Sequence, residues 1–344
     1  MELQLVDQWN PALCEEWNRL VSASSAQFPF SRFEFMDIWW RTRGGGEWQP
    51  ESRLALVTAR VGGQLRAIAP LFWTPDFAGQ PALMLLGSIE ISDYLDLIAC
   101  PQDLNAFCVA LLPFLRDANL PGWRALELFN LPDDSRSLPA LQAAAHQHGW
   151  DFGSQPYQRC PYIPLPGDWE TYLAGIDKKQ RHEIRRKMRR AESLNPPAHW
   201  RRVEERATLD ADIDAFFALM EQDEEKRRFL TAPMRAAMRE IITCAFDQGC
   251  LNLAFLEVDS QQAAAYLSFD YLNRLWVYNS GYDRRFNDYS PGWVLLGYLL
   301  EWANQRGYRE FDFMRGDEDY KYRFGAVDRR VLRVTLTPRR TPPP

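Results

Sequence analysis

The order of apolar segments in the second half of the chain is the feature that most restricts its fold. Alternating apolar residues are typical of strands, and apolar residues at three- and four-residue spacing are typical of helices. From residue 199 onward these patterns predict a strand, two helices, three strands, a helix, a strand, a short helix and a last strand. The main segments are 200–203, 211–224, 234–246, 251–258, 264–272, 275–278, 291–307, 311–314 and 331–336. A mixed α/β domain follows.

The first half of the chain repeats this order more loosely. Apolar residues alternate over 54–61 and 65–73 on either side of Gly62-Gly63, which predicts a β-hairpin. Strands are then predicted at 83–86, 94–98, 125–129 and 157–163, and helices at 104–118 and 138–148. Because 344 residues exceed one ordinary core, two domains are expected.

Composition excludes several classes of protein. Apolar residues make up 46% of the chain, charged residues 25%, and the net charge is −6, which does not favour a nucleic-acid or membrane-surface binder. No apolar run approaches the roughly 20 residues of a membrane span, so no membrane insertion is expected. Residues 1–10 lack a secretion signal, which favours a cytoplasmic location. The six cysteines and four histidines show no ligand spacing, and we expect no metal site.

Several stretches resemble GNAT-superfamily acyltransferases, in particular Fem-like proteins and the CelD-type acetyltransferases linked to cellulose biosynthesis. The stretches are FEFMDIWW (33–40), SDYLDLI (92–98), CPYIPL (160–165), KKQRHEIRRKMRRAE (178–192), SPGWVLL (290–296) and FDFMRGDEDYKYRFGA (311–326). The resemblance implies α+β (mixed α/β) tandem GNAT-like domains, each a mixed sheet flanked by helices. The expected boundaries are 1–166 for the first domain, 167–195 for a basic connecting helix, 196–338 for the acyltransferase domain and 339–344 for a disordered tail.

The same resemblance implies an acyl donor, acetyl-CoA or another acyl-CoA, bound in the second domain. In GNAT enzymes the donor arm pairs with a strand edge between two diverging strands, and a helix N-terminus holds its pyrophosphate. The positions that match are Tyr278, Asn279, Ser290, Gly292 and Trp293. The loop before the helix carries fewer glycines than the superfamily pattern, and an ordinary capped helix is the alternative.

Two residues are candidates for proton transfer. Asp312 alternates with Phe311 and Phe313 on the predicted strand 311–314, where a carboxylate at the cleft floor would act as a base. A structural acceptor for backbone groups or for Arg315 is the alternative for Asp312. Tyr320 is a candidate acid for the leaving thiolate.

Two polar segments are candidates for acceptor binding. Arg315, Asp317 and Lys321 lie in a charged segment after strand 311–314, where a solvated turn is the alternative. A second set, in which two carboxylates flank an aromatic ring as in many sugar sites, is formed by Asp93, Tyr94 and Asp96. Its alternative is a capped turn and a strand end that faces solvent.

The segment 178–192 predicts a strongly basic helix. Between Asp177 and Arg190 there are eight Lys or Arg residues and two acids. Ile184, Met188 and Ala191 form one narrow apolar stripe, so the helix should pack by one edge. An anionic acceptor would contact cations on its other faces, namely Lys178, Arg181, Arg185 and Arg186. A solvated charged face is the alternative.

These observations predict an enzyme that transfers an acyl group from a CoA thioester to an amine or hydroxyl. The acyl group is expected to be acetyl. The acceptor is expected to be a small molecule, with a sugar or a phosphate as candidate parts. Two alternatives stay open. One is a Fem-like transferase with an aminoacyl-tRNA donor, which the acidic net charge disfavours. The other is a non-catalytic partner of polysaccharide-synthesis machinery. The oligomeric state does not follow from the sequence.

Overall fold

The chain forms two compact units. The structure, a computed structural model, describes residues 1–48, 51–89 and 91–339. The N-terminal unit comprises Met1–Gln158 and the segment from Arg329 onward, and the C-terminal unit comprises Arg159–Asp328. This division differs from the expected boundaries, because the basic helix belongs to the C-terminal unit and the last strand belongs to the N-terminal one. The expected disordered tail, apart from Arg339, lies outside the described residues.

The N-terminal half contains strands β1 to β9 and helices α1 to α4. Their bounds are β1 Glu2–Val6, α1 Cys14–Ala23, α2 Phe33–Arg43, β2 Arg53–Leu54, β3 Leu56–Val61, β4 Gln64–Ala69, β5 Leu71–Phe77, β6 Gln80–Leu85, β7 Ile98–Ala99, α3 Leu104–Asp117, β8 Ala125–Pro132, α4 Ser137–His148 and β9 Trp150–Pro164. The chain passes from the first unit into the second within β9.

The remaining elements run from α5 to β15. Their bounds are α5 Trp169–Gly175, α6 Lys178–Glu192, β10 His199–Arg202, α7 Leu209–Met220, α8 Glu224–Phe229, α9 Ala232–Asp247, β11 Leu251–Val258, β12 Gln261–Tyr271, β13 Arg274–Tyr282, α10 Pro291–Gln305, β14 Glu310–Asp312, α11 Asp319–Arg323 and β15 Val327–Pro338. Several helices begin at a polar cap, as Asp177 does for α6 by accepting from the backbone N–H groups of Lys179 and Gln180.

Strands of the N-terminal unit form two sheets, ordered β1-β3-β4-β7 and β15-β8-β6-β5-β2. The predicted hairpin is confirmed, since β3 pairs with β4 around Gly62 and Gly63, which take the positive φ angles that such a turn requires. In the second sheet β6 and β8 run parallel, while β5 and β15 flank them in antiparallel pairs. The expected strand at 94–98 is wrong except for Ile98, which pairs within β7.

Strands of the C-terminal unit are ordered β10-β11-β12-β13-β14-β9. Neighbours are antiparallel except β13 and β14, which are parallel. Helices α6 and α10 share a buried apolar cluster with the sheet, to which α6 contributes the predicted stripe of Ile184, Met188 and Ala191. Helix α7 contacts β12 and β13, and α9 contacts β11.

No helix in the described part of the chain is long and apolar enough to cross a membrane.

Candidate functional site

The two parallel strands of the C-terminal unit separate after three residues. Arg274, Leu275 and Trp276 of β13 pair with residues 310–312 of β14. Strand β14 ends there, whereas β13 continues to Tyr282. The chain beyond β14 instead follows β9, since the Phe313 N–H donates to the Pro161 carbonyl at 2.9 Å. A wedge therefore opens between residues 277–282 and the chain that follows β14.

A β-bulge lies where the wedge begins. Val277 pairs with Ser268 of β12 and Asn279 pairs with Leu267, so Tyr278 is an extra residue in β13. A bulge bends its strand and redirects the side chains that follow, and such irregularities are common beside functional sites. The Tyr278 ring contacts Phe269 with 5.5 Å between ring centroids. The bulge thus supplies local curvature at the point where β13 loses its parallel partner.

A cavity of about 340 Å³ occupies this wedge. Its lining comes from the end of α7, α8 and the residues between them, from β13 and the turn after it, and from the segment that follows β14 and enters α11. The described lining residues are Leu219, Gln222, Asp223, Lys226, Val277, Tyr278, Asn279, Ser280, Gly281, Tyr282, Arg284, Phe313, Arg315, Glu318, Tyr320 and Lys321. Five of the predicted site residues meet here, namely Tyr278, Asn279, Arg315, Tyr320 and Lys321.

Gly281 allows the end of α7 to lie against β13 at the cavity wall. A Cβ atom on Gly281 would stand 2.5 Å from the backbone carbon of Leu219 and 2.5 Å from the nitrogen of Met220. Both are backbone atoms, so a side chain at this position would push the helix end away from the strand. The close approach therefore requires glycine.

Tyr320 presents a neutral phenol to the cavity. Its ring meets Phe313 edge to face, with 6.0 Å between ring centroids, and its hydroxyl interacts with that of Tyr266. Burial, followed by the neighbouring Tyr266 and Glu318, raises the pKa of Tyr320 well above its ordinary value. The group therefore stays protonated at neutral pH, so it can donate a hydrogen bond or a proton.

Lys321 holds the turn that carries the chain away from β14. Its side chain is 3% exposed, and its ammonium donates to the Gly316 carbonyl at 2.8 Å and to the Arg315 carbonyl at 3.2 Å. It also pairs with Glu318 at 2.8 Å. Lys321, predicted to bind the acceptor, is thus engaged by oxygens of its own segment, although it borders the cavity.

Asp312 has a contact that fits its structural alternative. Its carboxylate is fully buried and accepts from the Met314 N–H at 2.7 Å, and Met314 has a positive φ of 55°. The described cavity lining does not include Asp312. Asp317, the remaining residue of the predicted acceptor segment, is exposed.

The N-terminus of α10 carries the other predicted donor residues. Ser290 occupies the N-cap position in a left-handed conformation, its side chain makes no capping bond, and Pro291 is the first helical residue. The ring of Trp293 packs on Phe324 and receives the Lys187 ammonium 4.2 Å from its centroid. Gly292 has only the Tyr282 ring near, 4.0 Å from where a Cβ would stand. Ser290, Gly292 and Trp293 lie outside the described cavity lining.

Part of the positive charge on α6 is paired with carboxylates of the C-terminal unit. Arg185 forms an ion pair with Glu170, and Arg186 binds Glu183 through two hydrogen bonds of 2.9 and 2.8 Å. Arg181 donates to the last carbonyl groups of α5, and Lys178 is exposed at the first turn of α6. These four predicted acceptor residues lie outside the described cavity lining.

Asp93, Tyr94 and Asp96 lie in the interior of the N-terminal unit. Tyr94 is fully buried and stacks on Phe28, with 5.2 Å between ring centroids, and Asp93 is 8% exposed. Asp96 is 1% exposed and accepts from Ser135 Oγ at 2.5 Å and from the Leu97 N–H at 2.7 Å. Burial raises the pKa of Asp96 to about 6. The solvent-facing alternative for Asp96 is wrong, and its contacts are those of a buried polar network.

Sequence reasoning missed Lys226 and Arg284 as cavity residues. Lys226 stands in the run EEKRRF of α8, where five of the six residues are charged, in succession, and apolar residues show no periodic spacing. Such a run is typical of a solvated helix. The available signal was Asp223, a capping residue that fixes the start of α8 and therefore the direction in which Lys226 points.

Comparison with known proteins agrees with this geometry. Residues 178–322 match the family model of the acetyltransferase (GNAT) domain. The GNAT match begins at α6, and its range includes β13, β14, α10 and every described residue of the cavity lining. It supports an acyltransferase domain in the C-terminal unit. No protein of curated function matches the sequence.

The fold as a whole is similar to solved structures at low sequence identity. FemX has a TM-score of 0.67 at 11% identity, with 97% of each chain covered. A conserved protein of unknown function from Bacteroides thetaiotaomicron has a TM-score of 0.63 at 13% identity, covering 98% of this chain and 100% of that one. The C-terminal domain of a putative lysylphosphatidylglycerol synthetase from Agrobacterium fabrum has a TM-score of 0.57 at 11% identity, with 95% and 92% covered. The mixed α/β, GNAT-like fold class is confirmed.

Proposed function

We propose that the C-terminal unit transfers an acyl group from a CoA thioester to an amine or hydroxyl acceptor in the cavity. The acyl group is expected to be acetyl. The observation that carries this proposal is the separation of β13 and β14 after Trp276, which leaves the edge of residues 277–282 at a cavity. The GNAT match over residues 178–322 supports the same reaction class.

The residues present fit a CoA thioester. An extended, amide-containing arm pairs with an exposed strand edge as an added strand does, and β13 offers such an edge beyond Trp276. The N-terminus of α10 presents unpaired N–H groups of the kind that bind phosphate. Arg284 and Arg315 add positive charge at the cavity wall. Binding roles for Tyr278, Asn279, Ser290, Gly292 and Trp293 are part of this proposal.

The chemistry needs few protein groups. The acceptor nitrogen or oxygen attacks the thioester carbon and gives up its proton to water, the carbon–sulfur bond breaks, and the sulfur leaves as a thiolate. Tyr320 donates its proton to that sulfur, since its raised pKa keeps the phenol protonated beforehand. Alignment of donor and acceptor in one cavity supplies much of the remaining acceleration. Asp312 as the base stays a prediction.

An aminoacyl-tRNA donor is the less supported alternative. It needs a broad positive surface, whereas Arg185 and Arg186 of α6 are both paired with carboxylates. The choice between N- and O-acylation, the link to CelD-type enzymes and the cytoplasmic location stay predictions.

Donor binding is tested by calorimetry with acetyl-CoA, and transfer by thiol release with a panel of amines and sugars. Binding of acetyl-CoA and release of CoA only with an acceptor are expected. A protein that binds no acetyl-CoA at millimolar concentration contradicts the proposal. A shift of bulk tRNA in a gel at low salt, without acetyl-CoA binding, would favour the aminoacyl-tRNA alternative instead.

The role of Tyr320 is tested by Tyr320→Phe. Without the hydroxyl, kcat for thiol release should fall about 100-fold, while the affinity for acetyl-CoA changes little. Tyr322→Phe is the matched control, because Tyr322 lies on the same helix but donates to Asp328 at 2.7 Å, outside the described cavity lining. Equal kcat values for the two variants would remove Tyr320 from the mechanism.

A further inference from the structure

Lys226 extends from α8 to the strand edge that borders the cavity. Its ammonium donates to the Ser280 carbonyl at 2.5 Å and lies 3.5 Å from Ser280 Oγ. Asp223 caps α8 by accepting from the backbone N–H of Lys226 itself, at 3.1 Å, and this fixes the helix start. The cation is therefore held at one place on the cavity wall, beside the part of β13 that has no parallel partner.

This cation lacks a direct counter-charge in the protein. Among the residues that the structure describes, no carboxylate lies within ion-pair distance of the Lys226 ammonium, whereas Lys321 has Glu318 at 2.8 Å. Burial lowers the pKa of Lys226, as does the nearby charge of Lys321, while Asp223, Glu318 and Glu225 oppose the shift from longer range. A half-buried cation without an ion pair carries a desolvation cost that a bound anion would relieve.

The cavity as a whole has an excess of positive charge. Its described lining contains four cations, Lys226, Arg284, Arg315 and Lys321, but two carboxylates. Of these carboxylates, Asp223 accepts backbone N–H groups as a helix cap and Glu318 pairs with Lys321. Neither lies within ion-pair distance of the Lys226 ammonium, so Lys226 contributes a positive charge without an ion pair to the wall that α8 and β13 form.

We propose that the acceptor of the acyl group carries an anionic group, a carboxylate or a phosphate, which binds the ammonium of Lys226. This inference rests on the proposed function, because it assigns the substrate class of the same cavity. One N–H of the ammonium holds the Ser280 carbonyl, and the others bind the anion. The amine or hydroxyl of the acceptor then lies at a fixed distance from the anionic group, within the same cavity. A cavity of about 340 Å³ restricts the acceptor, or its reacting end, to a small molecule.

The test compares acceptors that differ only in the anionic group. Alanine is paired with alaninamide, and glucosamine 6-phosphate with glucosamine, so that the two arms separate a carboxylate from a phosphate. Binding is measured by calorimetry with CoA present, and kcat/KM is measured by thiol release from acetyl-CoA. The wild-type protein should favour the acidic member of at least one pair by about 10-fold or more, the effect of one charge-assisted hydrogen bond.

Three variants assign this preference to Lys226. Lys226→Met should abolish the preference, and Lys226→Arg, which keeps the charge, should restore most of it. Arg228→Met is the matched control, since Arg228 lies on the same helix with its side chain 77% exposed, paired with Glu224. It removes one positive charge without touching the cavity lining and should leave the preference unchanged.

Several results would overturn the inference. Equal binding of acidic and neutral members by the wild-type protein would do so, as would a preference that survives in Lys226→Met or disappears in Arg228→Met. Failure of every acidic member to bind at millimolar concentration also counts against it. Acetyl-CoA binding, measured on the same preparation, separates the two proposals. A protein that binds acetyl-CoA but no acidic acceptor refutes this inference alone.

Discussion

The two units contain the same arrangement of strands, but what lies beside the parallel pair of strands differs between them. In each, a parallel pair is flanked by antiparallel neighbours, β6 and β8 in the N-terminal unit and β13 and β14 in the C-terminal unit. Both pairs are registered over three residues. In the C-terminal unit a cavity follows the paired residues. In the N-terminal unit the segment 91–97, which follows β6, is buried and bonded to β8.

This buried segment, residues 91–97, fills the space beside the parallel strands of the N-terminal unit. The corresponding space in the C-terminal unit is a cavity. The Leu95 N–H donates to the Asn130 carbonyl at 2.9 Å, and Asn130 Nδ2 donates to the Ser92 carbonyl at 2.7 Å. Asn130 lies in β8 with a φ of 62°, so β8 bends where the segment binds. The comparison shows that strand order alone does not make a ligand site. A cavity remains only where the chain that follows the first parallel strand does not return to fill the space beside the strand pair.

The largest effect is expected from disrupting the contact between α7 and β13 at Gly281, beside the open wedge. Gly281→Val places a side chain against the backbone of α7, where even a Cβ would stand 2.5 Å from Leu219 and Met220. Overpacking of this kind should lower the free energy of unfolding by about 3 kcal/mol or more, and displacement of α7 should abolish acetyl-CoA binding. Urea denaturation and calorimetry measure the two effects.

Gly292→Ala is the control for this substitution. It lies at the start of α10, and the nearest atom to its new Cβ is 4.0 Å away in the Tyr282 ring. Stability should therefore rise slightly or stay the same, because alanine is the better helix former. Similar losses of unfolding free energy in both variants would show that the close approach of α7 to Gly281 is not the cause.

A pH-dependent loss of stability is expected from the buried segment of the N-terminal unit. Burial raises the pKa of Asp96 from 3.8 to about 6. The folded state therefore favours the protonated carboxyl, and its contribution is complete below about pH 4 and is lost as the pH rises through 6. Relative to Asp96→Asn, the wild-type free energy of unfolding should fall by about 2–3 kcal/mol between pH 4 and pH 7.5.

Urea titrations of the wild type and Asp96→Asn across this range measure the difference. Because Asp96 lies in the N-terminal unit, acetyl-CoA affinity at a given pH should be the same in both proteins. A difference in stability that does not vary with pH would mean that Asp96 is charged in the folded state throughout.

The smallest effect is expected from Asn130. Asn130→Gly keeps the positive φ but removes the hydrogen bond to Ser92, at a cost of about 1 kcal/mol. Asn130→Ala should cost about 1 kcal/mol more, because alanine is strained at a φ of 62°. Thermal unfolding of the wild type, Asn130→Gly and Asn130→Ala measures their relative stabilities, which should decrease in that order. An alanine variant as stable as the glycine variant would show that the backbone conformation at Asn130 relaxes at no cost.

Much of the C-terminal fold follows from periodicity. Strand β11 begins and ends at the predicted residues 251 and 258, and α6 buries its predicted stripe, because both elements lie over a continuous apolar face. Strand β13 is predicted to end at 278 but runs to 282. Its last residues, Asn279, Ser280 and Gly281, resemble a loop in composition because they border a cavity instead of a core.

Less of the site follows from the sequence. Tyr320 and Arg315 are predicted from their place after β14, yet nothing local indicates that Lys321 turns inward to bind the Gly316 carbonyl while Lys226 reaches the cavity from another helix. The buried segment of the N-terminal unit was predicted as a sugar-binding surface, because two aspartates beside a tyrosine have the same composition in either role. Burial, which distinguishes them, depends on residues such as Asn130 that lie more than 30 positions away.

The pairing of β15 with β8 has a consequence for the order in which the protein matures. Val331 pairs with Pro132 and Leu336 with Leu126, and Arg333 bonds Glu127 across about 200 positions of sequence. The N-terminal unit therefore cannot complete its second sheet until residues 331–336 have been synthesised, whereas the C-terminal unit, Arg159–Asp328, is contiguous and needs no later residue. We expect chains that are truncated after Asp328 and released from the ribosome to contain a protease-resistant C-terminal unit and a readily cleaved N-terminal unit.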